Sequence, residues 1–129
     1  MKQEIKHPDK PAGKESPYSA GLICDGWLYV SGQGPIDVSK GEIVGTTVEE
    51  QTRVTLGNVE KILKAAGCSF DDVVKCTCYI SDIRDFDEFS RTYVEYFKGI
   101  RPARSTVESK LWGGIRVEID AVARVPQKS

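Results

Sequence analysis

Two segments near the C-terminus carry residue types from which a small-molecule site could be built. Residues 103–108 read Ala-Arg-Ser-Thr-Val-Glu and residues 115–121 read Ile-Arg-Val-Glu-Ile-Asp-Ala, and each alternates with the period of two that indicates a β-strand. Arg104 offers a planar fork for two hydrogen bonds to a carboxylate, and Glu118 can move a proton or hold a water. If the strands share a sheet, both side chains can lie on one face of it. The pattern alone favours a simpler interpretation, two solvated side chains in an exposed ion pair.

The other nucleophilic and metal-binding residue types form no recognisable set. The chain has four cysteines and one histidine. Cys76 and Cys78 are two apart in a strand-like run, so both point to the same face and are most simply reduced core residues. The spacings lack the paired C-x2-C pattern typical of zinc sites. A Cys–His nucleophile would have to recruit His7 from a terminus that we expect to be mobile.

The first half of the chain predicts a hairpin followed by a glycine-containing turn, after a possible edge strand near Ile5. Asp25-Gly26 between two apolar runs is a strong hairpin signal, and the alternation beyond it directs Leu28 toward the core. The run Ser-Gly-Gln-Gly-Pro follows at 31–35. Its glycines, Gly32 among them, let the backbone approach a ligand closely, although they serve a tight turn equally well.

Two helices follow, separated by a strand. A capping box from either threonine at 46–50 predicts a helix that runs to Ala66. Val73–Ile80 alternates as a strand. A second capping box at 85–88 predicts a helix that ends at Gly99. This helix carries an aromatic stripe, interpreted as core rather than as an aromatic cage, made of Phe86, Phe89, Tyr93 and Phe97.

The order of these elements predicts one α+β domain over residues 1–129, a two-layer sandwich with a mostly antiparallel sheet and both helices on one face. Alternation leaves a mixture of aromatic, polar and charged side chains for the other face: Trp27, Tyr29, Lys75, Thr77, Tyr79, Arg104, Thr106, Arg116, Glu118 and Asp120. Such a face is too aromatic for solvent and too charged for a core. We therefore expect copies of the chain to cover it, with polar clefts between them.

Composition narrows the class of protein further. The chain of 129 residues is 40% hydrophobic and has a net charge of −1 at neutral pH, which gives no electrostatic reason to expect nucleic-acid binding. No apolar run approaches the ~20 residues that span a bilayer, and the first residues lack the apolar segment of a secretory signal. We expect a cytoplasmic protein without membrane association.

The segments singled out above resemble the RidA (YjgF-type, reactive intermediate deaminase) family. The C-terminal resemblance lies in Pro-Ala-Arg-Ser-Thr-Val-Glu at 102–108 and Val-Glu-Ile-Asp-Ala-Val-Ala at 117–123. Similar segments run through most of the chain: Pro-Tyr-Ser at 17–19, Ser-Gly-Gln at 31–33, Glu-Gln-Thr-Arg at 50–53, Ala-Ala-Gly at 65–67 and Asp-Val-Val-Lys at 72–75. The resemblance implies a chorismate-mutase-like fold and a homotrimer with its sites in the clefts between subunits.

The resemblance also implies hydrolysis of reactive enamines and imines to 2-keto acids and ammonia, without metal or other cofactor. The substrates would be 2-aminoacrylate and 2-imino acids such as 2-iminopropanoate. Carried over by position, Arg104 would clamp the substrate carboxylate and Glu118 would orient or deprotonate the attacking water. Backbone groups near Gly32 and Thr106 would hold the reacting end. Tyr18 would cover the site from a neighbouring subunit.

Departures from the family pattern bear on substrate range more than on reaction class. Thr106 stands where the family often has a cysteine, Ser16 replaces the glycine before Pro-Tyr-Ser, and Trp112 lies in a shortened turn. Two alternatives therefore stay open. One is a pathway-specific deaminase of the aminomuconate type, in which Trp112 selects a longer substrate. The other is a non-catalytic member, since ribonuclease, translation-inhibitor and chaperone-like roles have been claimed for this scaffold; the acidic balance argues against RNA.

Overall fold

A computed structural model, which describes residues 1–127, has a six-stranded sheet with two helices packed on one face. In chain order the elements are β1 (Lys2–Ile5), β2 (Gly21–Cys24), β3 (Trp27–Gln33), β4 (Ile36–Asp37), β5 (Glu42–Ile43), α1 (Val48–Ala65), β6 (Val73–Ile80), α2 (Phe86–Val94), β7 (Ala103–Glu108) and β8 (Val117–Arg124). The strand order is β1-β2-β3-β8-β6-β7, and β4 pairs with β5 in a separate small ribbon. The predicted mostly antiparallel α+β sandwich is confirmed.

One pair of strands is parallel, and this pair decides where Arg104 lies. β6 and β7 run in the same direction, so the chain must cross over between them, and α2 forms the crossover. All other neighbouring strands in the sheet are antiparallel. The Asp25-Gly26 hairpin is confirmed: φ is 53° at Asp25 and 82° at Gly26, the two positive values of a type I′ turn.

The predicted start of α1 is confirmed at Thr47. The backbone N–H of Glu50 donates to the Thr47 hydroxyl at 3.0 Å, and the Glu50 carboxylate accepts from the Thr47 N–H at 3.0 Å. Hydrogen bonds from the Thr46 and Thr47 backbone lower the pKa of Glu50 to about 2. The helix ends at Ala65, and Gly67 has the left-handed φ of 77° that stops it.

The predicted capping box of the second helix is wrong. Asp85 makes no side-chain cap, and the Glu88 carboxylate instead accepts a hydrogen bond from the Glu49 N–H at the start of α1. A short turn before α2 is capped by Asp82, which accepts from the Arg84 N–H at 3.0 Å. α2 ends at Val94 and not at Gly99.

The core lies between the sheet and the two helices. Its fully buried members come from α1, α2 and the inward positions of β3, β6 and β8: Leu28, Leu56, Val59, Ile62, Leu63, Cys78, Ile80, Phe89, Val117, Ile119 and Ala123. Cys76 and Cys78 are buried free thiols, as predicted, and burial raises the pKa of Cys78 to about 12. Phe89, Tyr93 and Phe97 are buried, so these three residues of the aromatic stripe belong to the core as predicted, whereas Phe86 is 38% exposed and does not.

The opposite face of the sheet is open in the single chain. Tyr29 is 48% exposed there, and the Tyr79 hydroxyl donates to Asp120 at 3.0 Å across neighbouring strands. Arg116 was expected on this face, but it precedes β8 and approaches Asp85, at the start of α2, within 3.9 Å. Within residues 1–127, no helix is long and apolar enough to cross a bilayer.

Candidate active site

A cavity of about 520 Å³ opens beside the Gly32 end of β3. Its walls come mainly from the connection between β1 and β2, the turn after β3 and the start of β8, and Asn58 of α1 also contributes. Tyr18, Gly32 and Glu118 all line it, which brings together three of the predicted site residues. Trp112 lies at the rim, 59% exposed. The cavity is large enough for a small organic acid.

Glu118 and Gly32 are in close contact in the wall of this cavity. A Cβ atom built on Gly32 would lie 2.5 Å from Oε2 of Glu118 and 3.0 Å from its Cδ. Only glycine therefore leaves the carboxylate where it is. Burial raises the pKa of Glu118, and the negative charge of Asp120 adds to the effect. A carboxyl group with a raised pKa is a better proton acceptor near neutral pH.

A bulge in β3 presents Gly32 to the cavity. The pairing of β3 with β8 shifts register between Val30 and Gln33, and such a bulge turns the local backbone out of the ladder. Ser31 anchors the adjacent loop, because its hydroxyl donates to the Ser19 carbonyl at 2.6 Å. Tyr18, next to Ser19, is 61% exposed at the cavity mouth.

Arg104 lies elsewhere, beneath α2. Its Nη2 donates to the Ser90 hydroxyl at 3.0 Å, and its guanidinium carbon lies 4.8 Å from the ring centre of Tyr93. The corresponding distances to the rings of Phe86 and Phe89 are 5.3 and 5.5 Å. Cation–π contacts with these three rings stabilise the guanidinium, which also has N–H groups beyond the one that Ser90 accepts and could donate them to an anion. We call the rings of Phe86, Phe89 and Tyr93 the aromatic shelf; the sequence predicted them only as core residues.

The expectation that Arg104 and Glu118 share a face is wrong. In the parallel pairing Arg104 is opposite Cys76, which points into the core, whereas Glu118 is opposite Tyr79 on the open face. Thr106, opposite Cys78, also lies on the helix side, and its Oγ1 is buried without a hydrogen-bond partner among the described residues. One chain therefore holds two separate groups, with Tyr18, Gly32 and Glu118 in the cavity and Arg104 and Thr106 under α2.

Sequence reasoning missed two polar residues of this region. Ser90 was overlooked because a lone serine in a helix carries no pattern, although it lies four positions after Phe86 and so on the same helix face. His7 was expected on a mobile terminus. It is instead 5% exposed in the cavity wall, with Nε2 at 2.9 Å from Oδ1 of Asn58. No sequence signal pairs residues so far apart.

The fold and site define a small α+β domain with a carboxylate in a cavity on one face of its sheet and an arginine packed against aromatic rings on the other. Residues 9–125 match the family model described as endoribonuclease L-PSP. The chain belongs to this family, which is the RidA/YjgF family.

Named relatives are similar over most of their length. The chain is 43% identical over 115 residues to the human 2-iminobutanoate/2-iminopropanoate deaminase, which covers 88% of this chain and 84% of the human one. It is 42% identical over 126 residues to a RutC family protein of Pyrococcus horikoshii, covering 95% and 98%. Among solved structures, YyfA of Yersinia pestis superposes with a TM-score of 0.90 at 40% identity, covering 97% of this chain and 100% of YyfA. Escherichia coli TdcF with bound serine superposes with a TM-score of 0.84 at 32% identity, covering 95% and 98%.

Proposed function

We propose that this protein is a cytoplasmic, cofactor-free deaminase that hydrolyses 2-aminoacrylate and 2-imino acids to 2-keto acids and ammonia. The observation that carries the proposal is the Glu118 carboxylate, held against Gly32 in a cavity and given a raised pKa by burial. The identity of 43% to the human 2-iminobutanoate/2-iminopropanoate deaminase supports it.

The chain's own residues suffice for the chemistry. A protonated imine carbon is electrophilic, so a water oxygen can bond to it while Glu118 takes a proton from that water. Glu118 then returns this proton to the amino nitrogen of the adduct, the C–N bond breaks, and ammonia leaves as the hydroxyl group loses its own proton to Glu118 and becomes the C=O group; Glu118 releases that proton to solvent. An enamine first becomes the protonated imine when its β-carbon takes a proton. Arg104 holds the substrate carboxylate throughout by charge-assisted hydrogen bonds.

The complete site is built from two copies of the chain. Arg104 and Glu118 lie on opposite faces of one sheet, so a substrate of a few atoms cannot contact both in a single chain. A neighbouring copy that covers the open face can bring its own Arg104 to the cavity of the first. Heterologous contacts of this kind form a closed ring when the rotation between copies allows it. We propose that the ring is a homotrimer. Serine bound to TdcF is an amino acid with the carboxylate that this site would recognise.

The activity is tested by trapping imines. An amino-acid oxidase generates 2-imino acids from alanine, leucine and methionine, and semicarbazide competes with the protein for them. We expect the wild type to suppress semicarbazone formation, and both Arg104→Met and Glu118→Gln to lower the rate about 100-fold or more. Methionine is preferred to alanine at 104 because it keeps much of the packing on the aromatic shelf. The matched control is Arg91→Ala, which replaces an exposed arginine of α2 and should keep wild-type activity. Full activity in Arg104→Met would exclude Arg104 as the group that binds the substrate carboxylate.

The shared site is tested by mixing the two inactive variants. If Arg104→Met and Glu118→Gln subunits exchange randomly, about one quarter of the sites combine an intact Arg104 with an intact Glu118. We expect about that fraction of wild-type activity to return after the mixture is partly unfolded and refolded together. A mixture that stays inactive while native mass spectrometry shows hybrid oligomers would place both residues in one chain's site.

A pathway-specific deaminase is a second candidate, favoured by Trp112. This side chain lines the cavity, whose volume of about 520 Å³ exceeds the needs of a three-carbon imino acid. Trp112→Ala should then lower the rate on a long-chain substrate more than the rate on 2-iminopropanoate. Ribonuclease activity is not proposed, because a net charge of −1 provides no attraction for a phosphate backbone.

A further inference from the structure

His7 and Asn58 form a buried hydrogen-bonded pair that the proposed chemistry does not use. Nδ1 of His7 accepts from the Asp9 N–H at 3.1 Å, and its Nε2 lies 2.9 Å from Oδ1 of Asn58. The amide nitrogen of Asn58 is occupied, since it donates to the carbonyls of Gly34 at 3.0 Å and Ile36 at 2.8 Å. The Asn58 oxygen is therefore an acceptor, and the imidazole must be neutral with its hydrogen on Nε2.

This pair joins two walls of the cavity to the middle of α1. His7 begins the connection that leads to Tyr18; we call residues 8–20 the Tyr18 loop. Gly34 belongs to the turn that follows Gly32, and Ile36 begins β4 at the end of that turn. His7, Asn58 and Gly34 all line the cavity. Asn58 is buried within α1, so one buried side chain is hydrogen-bonded both to His7, just before the Tyr18 loop, and to the segment after Gly32.

We propose that His7 and Asn58 form a pH-sensitive clamp that holds the Tyr18 loop against the turn after Gly32, and that a proton on His7 opens it. His7 is thus a positioning residue that acts on Tyr18 through the loop. The contacts of the clamp rest on geometry, and the direction of its pH response rests on the burial of His7; only its effect on turnover rests on the proposed function.

Protonation opposes the clamp for a simple reason. An imidazolium carries hydrogen on both ring nitrogens, so its Nδ1–H would point at the Asp9 N–H and the bond between them would be lost. The charged groups around the ring are the Asp9 carboxylate, which pairs with Lys61 of α1 at 2.6 Å, and Lys10. Asp9 favours the imidazolium, whereas Lys61 and Lys10 disfavour it.

The direction of the pH effect follows from burial. Burial lowers the pKa of His7 from its ordinary 6.5, and the Asn58 hydrogen bond and the Asp9 charge only partly oppose this. The unfolded chain, or an opened loop, therefore binds the proton more readily than the closed clamp does. The clamp is fully stable above pH 6.5 and weakens as the pH falls below 6.5 toward the lowered pKa.

Hydrogen exchange of the Tyr18 loop tests the clamp without any substrate. After correction for intrinsic rates, we expect the amides of Asp9 and Lys10, which donate to the ring and the carbonyl of His7, to exchange about 10-fold faster near pH 5.5 than near pH 7.5 in the wild-type protein. His7→Ala should exchange fast at both values. His7→Gln offers a neutral donor and acceptor at every pH, so its loop should be insensitive to pH. The amides of Val73–Ile80 serve as the internal control and should be unchanged throughout.

The result that overturns the proposal is a wild-type loop whose exchange is independent of pH, or a His7→Gln loop that still responds to pH. Because His7→Gln retains hydrogen-bonding capacity, this outcome can be measured even if His7→Ala does not fold. Turnover is measured separately. We expect the wild-type KM for the imino acid to rise below pH 6.5, with less change in kcat and no such rise in His7→Gln. A loop that responds to pH in a protein without imine turnover would support the clamp and refute the deaminase.

Discussion

Gly32→Ala should leave the fold intact and still disable the proposed chemistry. The added Cβ would lie 2.5 Å from Oε2 of Glu118, whereas ordinary contact begins near 3.4 Å. The nearest obstacle is the far end of a flexible side chain, so the backbone need not move. We expect the unfolding free energy to change by less than about 1 kcal/mol, because alanine also reduces the entropy of the unfolded chain. The Glu118 carboxylate, however, has to move away from the added Cβ.

The distance by which the Glu118 carboxylate has to move determines the expected fall in kcat. Oε2 has to move by about 0.9 Å to reach ordinary contact, and a misplacement of about 1 Å in a reacting group can lower a rate about 100-fold. A 100-fold fall in kcat corresponds to about 2.7 kcal/mol of transition-state stabilisation. The effect should be smaller in a Glu118→Gln background, since the base has already been removed there.

The assay is semicarbazone suppression, run beside urea denaturation. Gly57→Ala is the matched control: apart from the backbone of α1 itself and the two neighbouring residues, no atom of residues 1–127 lies within 4 Å of a Cβ at this position, so activity should be unchanged. Its unfolding free energy should rise by about 0.8 kcal/mol, because alanine is the better helix former. A Gly32→Ala protein that turns over substrate at the wild-type rate refutes the reasoning, since the displaced carboxylate could not then be the base.

Three further predictions concern neighbouring features. Ser90→Ala should raise KM about 5-fold with little change in kcat, because Arg104 loses the hydroxyl that orients it; Ser90→Thr should restore KM. Asp120→Asn should move the acidic limb of the kcat/KM profile to lower pH. The base works only when deprotonated, so activity is lost as pH falls through the raised pKa of Glu118, and removal of the Asp120 charge lowers that pKa. Thr47→Ala should lower the unfolding free energy by about 1 kcal/mol in urea denaturation, because it removes the α1 cap.

Local signals in the sequence predicted most of the fold. The Asp25-Gly26 hairpin, the Thr47 cap and the exact span Val73–Ile80 each depend on residues within a few positions of one another. The predicted capping box at Asp85 was wrong because Glu88 has a different hydrogen-bond partner. Its carboxylate accepts from the N–H of Glu49, 39 positions earlier in the chain. The spacing of residues within one helix cannot predict such a contact between two helices.

The face of β8 could be predicted, but the face of β7 could not. In β8 every second residue is apolar, beginning with Val117 and Ile119. Because these residues are buried against the helices, Glu118 points away from them. In β7 neither set is clearly apolar. The parallel register with β6 decides the matter by setting Arg104 opposite buried Cys76, and the aromatic rings of α2 then accept the guanidinium where an aliphatic core could not.

The same geometry links assembly to activity under the proposed function. Arg104 lies on the helix side of the sheet and Glu118 on the open side. Under the proposed function, the group that binds the substrate and the group that transfers the proton are therefore separated within each chain. An isolated chain would retain Tyr18, Gly32 and Glu118 in the cavity, but its own Arg104 would lie on the other face of the sheet. Exposed Tyr29 on the open face would then serve two purposes, since covering it with a second copy buries apolar surface and also delivers that copy's Arg104. Loss of the interface should therefore abolish turnover even where each chain remains folded.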